Sequence, residues 1–283
     1  MTIQDAYKKS INLLQKDFII TPALDARLLL SYVLNLDQKG FILNKDKKEI
    51  SSQELKKLKK ILKKRLKGKS VASLINKSYF YDLEFFVNDS VLIPRPETEF
   101  IIDIIIKKFD KNSKFLILDI GTGSGNIAII LANHFYFSRI EAIEKSKASI
   151  KVAQKNIEKH KISEKKLSLI KMDFFQYSTD KKYDIIVSNP PYIKTKVVKE
   201  LIRKKLVSDP VKTLDGGKQG LDFYYYLKVF AKNNLKKNGW MILEHGYDQR
   251  EKILNIFSEK NFIKEVYNDL AGLNRIIAIQ NKG

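Results

Sequence analysis

Cysteine is missing from all 283 residues, histidine occurs three times, and only seven of the 53 basic residues are arginine. Without cysteine there is no disulfide, no thiolate zinc site and no thiol nucleophile, and the chain suits a reducing compartment. His134, His160 and His245 are isolated, no cluster has ligand spacing, and no metal centre is expected. Long apolar runs are lacking too. FIIDIIIKKF, from Phe100, is interrupted by Asp103 and falls well short of the roughly 20 residues that cross a bilayer. The N-terminal stretch MTIQDAYKKSINLLQKDF has Asp5 early and no continuous apolar segment, so no secretory signal is read there. A cytoplasmic, monomeric protein without membrane contact is expected. The shortage of arginine also qualifies the net charge of +21. Recognition of phosphates and base edges favours the rigid guanidinium fork, whereas lysine is the usual solvated surface cation. The charge therefore reads mainly as compositional drift in a chain rich in Ile and Asn, and nucleic acid is not required as a partner, although the basic surface leaves it open.

Apolar material is plentiful, at 44% of residues against 30% charged, enough for one large domain and one smaller one. Residues 1 to 75 read as helical. TPALDARLLLSYVLN offers Thr21 as N-cap with Pro22 at the first helical position. SSQELKKLKKILKKRLKG opens with the capping-box pair Ser51 and Glu54, repeats Leu55, Leu58, Ile61 and Leu66 at helical spacing, and meets a stop at Gly68. This segment has no chemistry of its own, as suits a domain that grips a partner. Residues 76 to 95 turn aromatic and β-branched and predict a β-hairpin linker with Asn88-Asp89 as its turn. From 96 to 283 the pattern alternates. Strands KFLILDI, RIEAIE, KLSLIKM and YDIIVSN are separated by helical stretches. A helix over about Leu221 to Leu235, the strand GWMILEHG, a helix over Gln249 to Lys260 and two terminal strands follow. Strand and helix in short alternation predict an α/β, Rossmann-like, doubly wound and mostly parallel sheet.

Two stretches carry chemistry. LDIGTGSGNIAII joins a strand to a helix through Asp119, Gly121, Gly123 and Gly125, and glycine there permits positive φ and close approach of a ligand. The next strand ends at Glu144, at a spacing that suits a carboxylate accepting hydrogen bonds from ribose hydroxyls. The dinucleotide fingerprint needs a sixth-position glycine, but Asn126 stands there. Glycine at every second residue instead resembles the first motif of class I S-adenosylmethionine-dependent methyltransferases, which implies that S-adenosyl-L-methionine is the cofactor. In such enzymes the position of Asp173-Phe174 lies where the adenine is contacted; a helix cap and a core aromatic are the alternative.

The second stretch is YDIIVSNPPYIK, residues 183 to 194, an apolar strand that ends in Asn189, two prolines and Tyr192. Methyl transfer to a planar amide or exocyclic amine requires the nitrogen lone pair to be aimed at the methyl carbon. The Asn189 side-chain oxygen and the Pro190 carbonyl can each hold one N–H. Pro190 and Pro191 stiffen the backbone, and Tyr192 offers a face for a planar group to stack on.

With LIPRPETE at 92 to 99, LEHG at 243 to 246, NDLAGLNRII at 268 to 277 and DARLLL near the N-terminus in order around these motifs, nearly the whole chain resembles the HemK/PrmC family of peptide chain release factor N5-glutamine methyltransferases. The resemblance implies methylation of the glutamine of the Gly-Gly-Gln loop of class 1 release factors, with the helical N-terminal domain gripping that protein. It implies cofactor contacts from Gly121, Thr122, Gly123, Ser124, Gly125, Glu144, Asp173, Phe174 and Asn189. The glutamine is then held by Asn189, Pro190, Pro191 and Tyr192, with Asn189, Pro190 and Tyr192 catalytic. Glu144 stands where aspartate is common and Phe174 where tryptophan is often seen. NPPY is shared with adenine N6-methyltransferases of RNA or DNA, the alternative reading. Arg95 and Glu97 are read either as shaping the mouth of the site or as forming an ion pair, and His245 as structural.

Overall fold

The computed structural model describes residues 1–16, 19–46, 49–204 and 206–283. It comprises two compact units, Met1–Lys77 and Ser78–Lys204 with Asp209–Gly283; the stretch 206–208 counts with the first. The first unit holds α1 (Ile3–Gln15), α2 (Pro22–Leu34), α3 (Gln38–Asn44), α4 (Ser52–Leu66) and α5 (Val71–Ile75). Ser51 and Glu54 form the expected capping box on α4, and Thr2 with Asp5 forms another on α1. Thr21 does precede α2, but it caps no helix N–H. Its hydroxyl donates to Asp25 instead, at 3.0 Å. Asp25 is buried, and Arg65 of α4 donates to it at 2.7 Å, so the acidic residue of DARLLL ties α2 to α4. Leu14, Leu29, Leu30, Phe41, Leu58 and Leu62 belong to the apolar core of this unit.

The second unit begins with β1 (Ser78–Phe80) and β2 (Leu83–Phe85), an antiparallel hairpin. Its turn is Tyr81-Asp82, both at positive φ (49° and 62°), and not Asn88-Asp89. The reason is tertiary. Tyr81 donates its backbone N–H to Glu99 at 2.7 Å and its hydroxyl to Asp103 at 3.0 Å, which holds a left-handed conformation that tyrosine alone disfavours. Asn88 accepts locally, from the Ser90 N–H on its side chain and the Val91 N–H on its carbonyl.

There follow α6 (Pro96–Lys108), β3 (Leu116–Ile120), α7 (Asn126–His134), β4 (Arg139–Glu144), α8 (Lys147–Lys159), β5 (Leu167–Lys171), β6 (Tyr183–Ser188), α9 (Thr195–Arg203), α10 (Asp222–Asn234), β7 (Leu235–Glu244), α11 (Arg250–Ile256), β8 (Phe262–Asn268) and β9 (Asn274–Asn281). The sheet order is β5-β4-β3-β6-β7-β9-β8; β9 is antiparallel to both neighbours and the other pairings are parallel. This is the expected Rossmann-like doubly wound sheet. Central strands such as Ile185-Ile186-Val187 are fully buried, as strands covered on both faces must be. Leu118, Ile120, Ile186, Met241 and Leu243 pack under α10 and α11, while the apolar sides of α6, α7 and α8 cover the opposite face. The helix expected to reach Lys260 ends at Ile256, because Phe257 turns into the core against Phe262, with ring centroids 6.0 Å apart.

One buried amide links three parts of this unit. Asn156, on α8, accepts the Phe86 N–H at 2.7 Å and donates to the Phe86 carbonyl at 2.9 Å and the Ser124 carbonyl at 2.8 Å. Asn156→Ala removes the partner of the buried Ser124 carbonyl and of the partly buried Phe86 N–H and carbonyl, and is expected to cost about 2–4 kcal/mol in denaturant unfolding. A loss below about 0.5 kcal/mol, the level of ordinary surface substitutions, would show that the glycine loop and the hairpin are held by other contacts.

Candidate active site

Backbone register assembles the site. Ile170, Ile143, Ile120, Ser188 and Leu243 stand level across five neighbouring strands, so the next residue on each is Lys171, Glu144, Gly121, Asn189 and Glu244. The sheet's order reverses at β3, which lies between β4 and β6, and ligands of doubly wound sheets bind at that point. Ser188 secures the junction by donating to the Ile120 carbonyl at 2.7 Å.

A cavity of about 660 Å³ opens there. Gly121, Thr122, Gly123, Ser124, Glu144, Asp173, Phe174, Asn189, Pro190 and Pro191 all line it; Gly125 and Tyr192 do not. Gly121, at φ +77°, would carry a Cβ into open space, so the loop presents bare backbone to the cavity. Gly125, at φ +81°, instead lets α7 start close against Ala153 of α8. Glu144 accepts the Ser146 N–H on one oxygen at 2.7 Å and the Gly123 N–H on the other at 3.2 Å, which leaves lone pairs on both for a ligand. Asp173 caps a short 3-10 turn by accepting the Phe175 N–H, and Lys145 donates to it at 2.6 Å. Phe174 is at once a core residue and a cavity wall, in edge contact with Phe230. The helix-cap and core-aromatic alternative therefore describes this pair as well as a cavity role does.

Asn189 donates from Nδ2 to the Thr98 hydroxyl at 2.9 Å, and Thr98 donates to Glu244 Oε2 at 2.6 Å. The Tyr192 ring is turned away from the cavity and packs on the core below α10, where its hydroxyl donates to Glu244 Oε1 at 3.2 Å. Tyr192 is therefore no stacking platform in this arrangement; a buried acceptor claims its hydroxyl. Burial pushes the Glu244 carboxyl above its ordinary range against the pull of the Thr98 and Tyr192 hydroxyls and of Arg275. Burial and the Glu244 charge raise Tyr192.

A methyltransferase small domain family model matches residues 98–221 and a PrmC N-terminal domain model matches residues 5–75. The release factor glutamine methyltransferase of Coxiella burnetii is 36% identical and covers 91% of this chain and 91% of its own length. That of Dictyoglomus turgidum is 38% identical and covers 90% of each. The chain belongs to the release factor glutamine methyltransferase family. A crystal structure of a methyltransferase from Pyrococcus furiosus, 21% identical, aligns with a TM-score of 0.53 over 72% of this chain and 91% of that one, a likeness of fold.

In this member of the release factor glutamine methyltransferase family, residues that sequence reasoning passed over hold the NPPY box. The 214–220 loop runs against it backbone to backbone. Ile193 donates to the Leu214 carbonyl and Gly216 to the Ile193 carbonyl, both at 2.9 Å, and a Cβ on Gly216 would lie 2.6 Å from the Pro191 oxygen. Gln249 clamps the Tyr192 carbonyl at 2.9 Å and the Gly220 carbonyl at 3.0 Å. The one available signal was the density of glycine in DGGKQG. Arg95 lines the cavity and also forms an ion pair with Asp209; Glu97 is exposed. His245 is buried, its Nδ1 donates to the Gly246 carbonyl at 2.8 Å, and burial lowers its pKa, which keeps it neutral.

Beneath the glycine loop, burial pushes the Asp119 carboxyl up to about 7, although the Thr122 hydroxyl donates to it at 2.6 Å. A folded-state pKa above the unfolded value of about 3.9 means a stabilising contribution that is full below that value and lost as pH rises through about 7. Asp119→Asn removes this titration. The stability of the variant relative to wild type is expected to improve between pH 5 and pH 8 in paired denaturant titrations, by roughly 1 kcal/mol or more; a constant difference would place the folded Asp119 pKa below that range.

Proposed function

We propose that this chain transfers a methyl group from S-adenosyl-L-methionine to the side-chain amide nitrogen of the glutamine in the Gly-Gly-Gln loop of class 1 release factors. The observation that carries this reading is Asn189 at the rim of a cavity floored by bare glycine backbone, its side-chain nitrogen already committed to Thr98. The names of the relatives, which are release factor glutamine methyltransferases, support it.

The donor set fits the cofactor. Glu144 has lone pairs free for the ribose hydroxyls, Gly121 to Ser124 supply backbone at close approach, and Phe174 with Asp173 forms the wall for the adenine. Gly125 serves by fixing the start of α7. When bound, the cofactor supplies an electrophilic methyl on a sulfonium. Asn189 Oδ1 and the Pro190 carbonyl, which has no hydrogen-bond partner among the described residues, each accept one N–H of the substrate amide. This holds the nitrogen lone pair towards the cavity. Orientation of this kind can contribute several kcal/mol. No strong base is needed, because the proton becomes acidic only as the new C–N bond forms. Pro191 stiffens the loop, and Tyr192 anchors it through Glu244. The helical unit at residues 1–75 grips the release factor. The enzyme works as a cytoplasmic monomer that does not require nucleic acid, although the basic surface leaves such contact open, and the shortage of arginine is in keeping with that; no helix among the described residues is long and apolar enough to cross a membrane.

Labelled methyl from S-adenosylmethionine should pass to purified release factor, and not to the same factor with its Gly-Gly-Gln glutamine changed to alanine. Label on RNA offered in parallel, with none on the factor, would replace this reading with adenine methylation. In the same assay Asn189→Ala should lower turnover by about 10²-fold or more while cofactor binding persists, and near-normal turnover would sink the proposed role of its oxygen. Glu144→Ala should weaken cofactor binding by about tenfold or more in calorimetry, the loss of hydrogen bonds to a charged acceptor; unchanged affinity would put the ribose elsewhere.

A further inference from the structure

An asparagine side chain can face a substrate with either end. Its terminal torsion is broad and roughly two-fold, so the amide flips unless something selects one orientation. Accepting a substrate N–H requires the oxygen to face the cavity. Asn189 makes one side-chain hydrogen bond among the described residues, to Thr98, so any selection has to come through that hydroxyl.

The direction of the relay follows from proton counting. A threonine hydroxyl has a single hydrogen. Thr98 places it on Glu244 Oε2 at 2.6 Å while the Tyr192 hydroxyl places its own on Oε1, so both oxygens of Glu244 accept. Thr98 Oγ1 is then an acceptor towards Asn189, and only Nδ2 can supply the hydrogen. Oδ1 is the atom left for the cavity. Glu244 in turn is held from several sides: Tyr192 donates to Oε1, the Tyr224 hydroxyl donates to its backbone carbonyl at 2.8 Å, and Arg275 on the neighbouring strand β9 exerts a favourable charge, opposed by that of Glu97. Thr98 and Glu244 are both buried and so cannot exchange these partners for water.

We propose that Thr98, backed by Glu244, is a positioning residue that fixes the polarity of the Asn189 amide, keeping its oxygen towards the substrate and its nitrogen away. The proposal rests on the reading of Asn189 given above. Without the Thr98 hydroxyl the amide is free to turn, and an N–H then meets the N–H of the incoming glutamine, two donors face to face. The residues proposed for the ribose and adenine, Glu144, the glycine loop, Asp173 and Phe174, take no part in the flip. The defect therefore falls on turnover.

Thr98→Val keeps the shape and deletes the hydroxyl, and Thr98→Ser keeps the hydroxyl. Thr98→Val is expected to lose about tenfold to a hundredfold in kcat with cofactor affinity held within about twofold, and Thr98→Ser to restore most of it. Thr98→Ala repeats the test without a second methyl pressing on Asn189, should the valine variant fold poorly. A folded Thr98→Val or Thr98→Ala enzyme with wild-type kcat overturns the proposal. A second arm needs no substrate. The Asn189 side-chain NH2 signal in a nitrogen-15 spectrum, identified by its loss in Asn189→Ala, should exchange slowly in wild type and in Thr98→Ser and markedly faster in Thr98→Val. Equal exchange in all three overturns the relay. A wild-type enzyme that labels no release factor defeats the functional reading instead, and the exchange arm still decides the relay.

Discussion

The parallel pairing of β3 with β6 is the contact on which the rest of the site depends. Ile120 and Ser188 stand side by side, and the serine hydroxyl closes on the isoleucine carbonyl at 2.7 Å. One residue further along, the first strand becomes a glycine loop and the second becomes NPPY. Because side chains alternate along a strand, a slip of one residue would send Asn189 to the other face and part the two halves of the chemistry. The hydrogen-bond ladder and the fully buried run Ile185-Ile186-Val187 are therefore not only stability; they are the alignment of the reaction centre.

The same level row extends one strand further to Glu244, a carboxylate buried where it costs free energy to keep charged. Its presence is explained by what it receives. Thr98 and Tyr192 donate to its carboxylate, Tyr224 donates to its backbone carbonyl, and the charge on Arg275 favours it. A buried acceptor satisfied by several elements makes each of them rigid relative to the others. Here the elements fixed are the start of α6, the NPPY loop and the terminal strands.

Much of this was legible from residue patterns. The parallel strands, the doubly wound sheet, the glycine loop and the acidic end of β4 follow from periodicity and spacing, and with the family resemblance ten of the cavity's contributors, from Gly121 to Pro191, were readable as candidate site residues. What escaped was set by contacts between segments distant in sequence. The hairpin turns at Tyr81-Asp82 because Glu99 and Asp103 hold it there. Tyr192 turns inward because Glu244, 52 residues away, takes its hydroxyl. Thr98 carries no local signal beyond its place in PRPETE; its importance lies in standing between Asn189 and Glu244, which only the folded chain brings within reach. Of the many basic residues behind the +21 charge, Arg95, Lys145, Lys147 and Lys212 line the cavity.

The most direct measurement is a crystal structure of the full chain with the demethylated cofactor and a release factor bound. The account predicts the Gly-Gly-Gln glutamine nitrogen within hydrogen-bond distance of Asn189 Oδ1 and of the Pro190 carbonyl, with Asn189 Nδ2 still on Thr98. A glutamine held by other groups, or an Asn189 amide whose nitrogen faces the substrate, would contradict it.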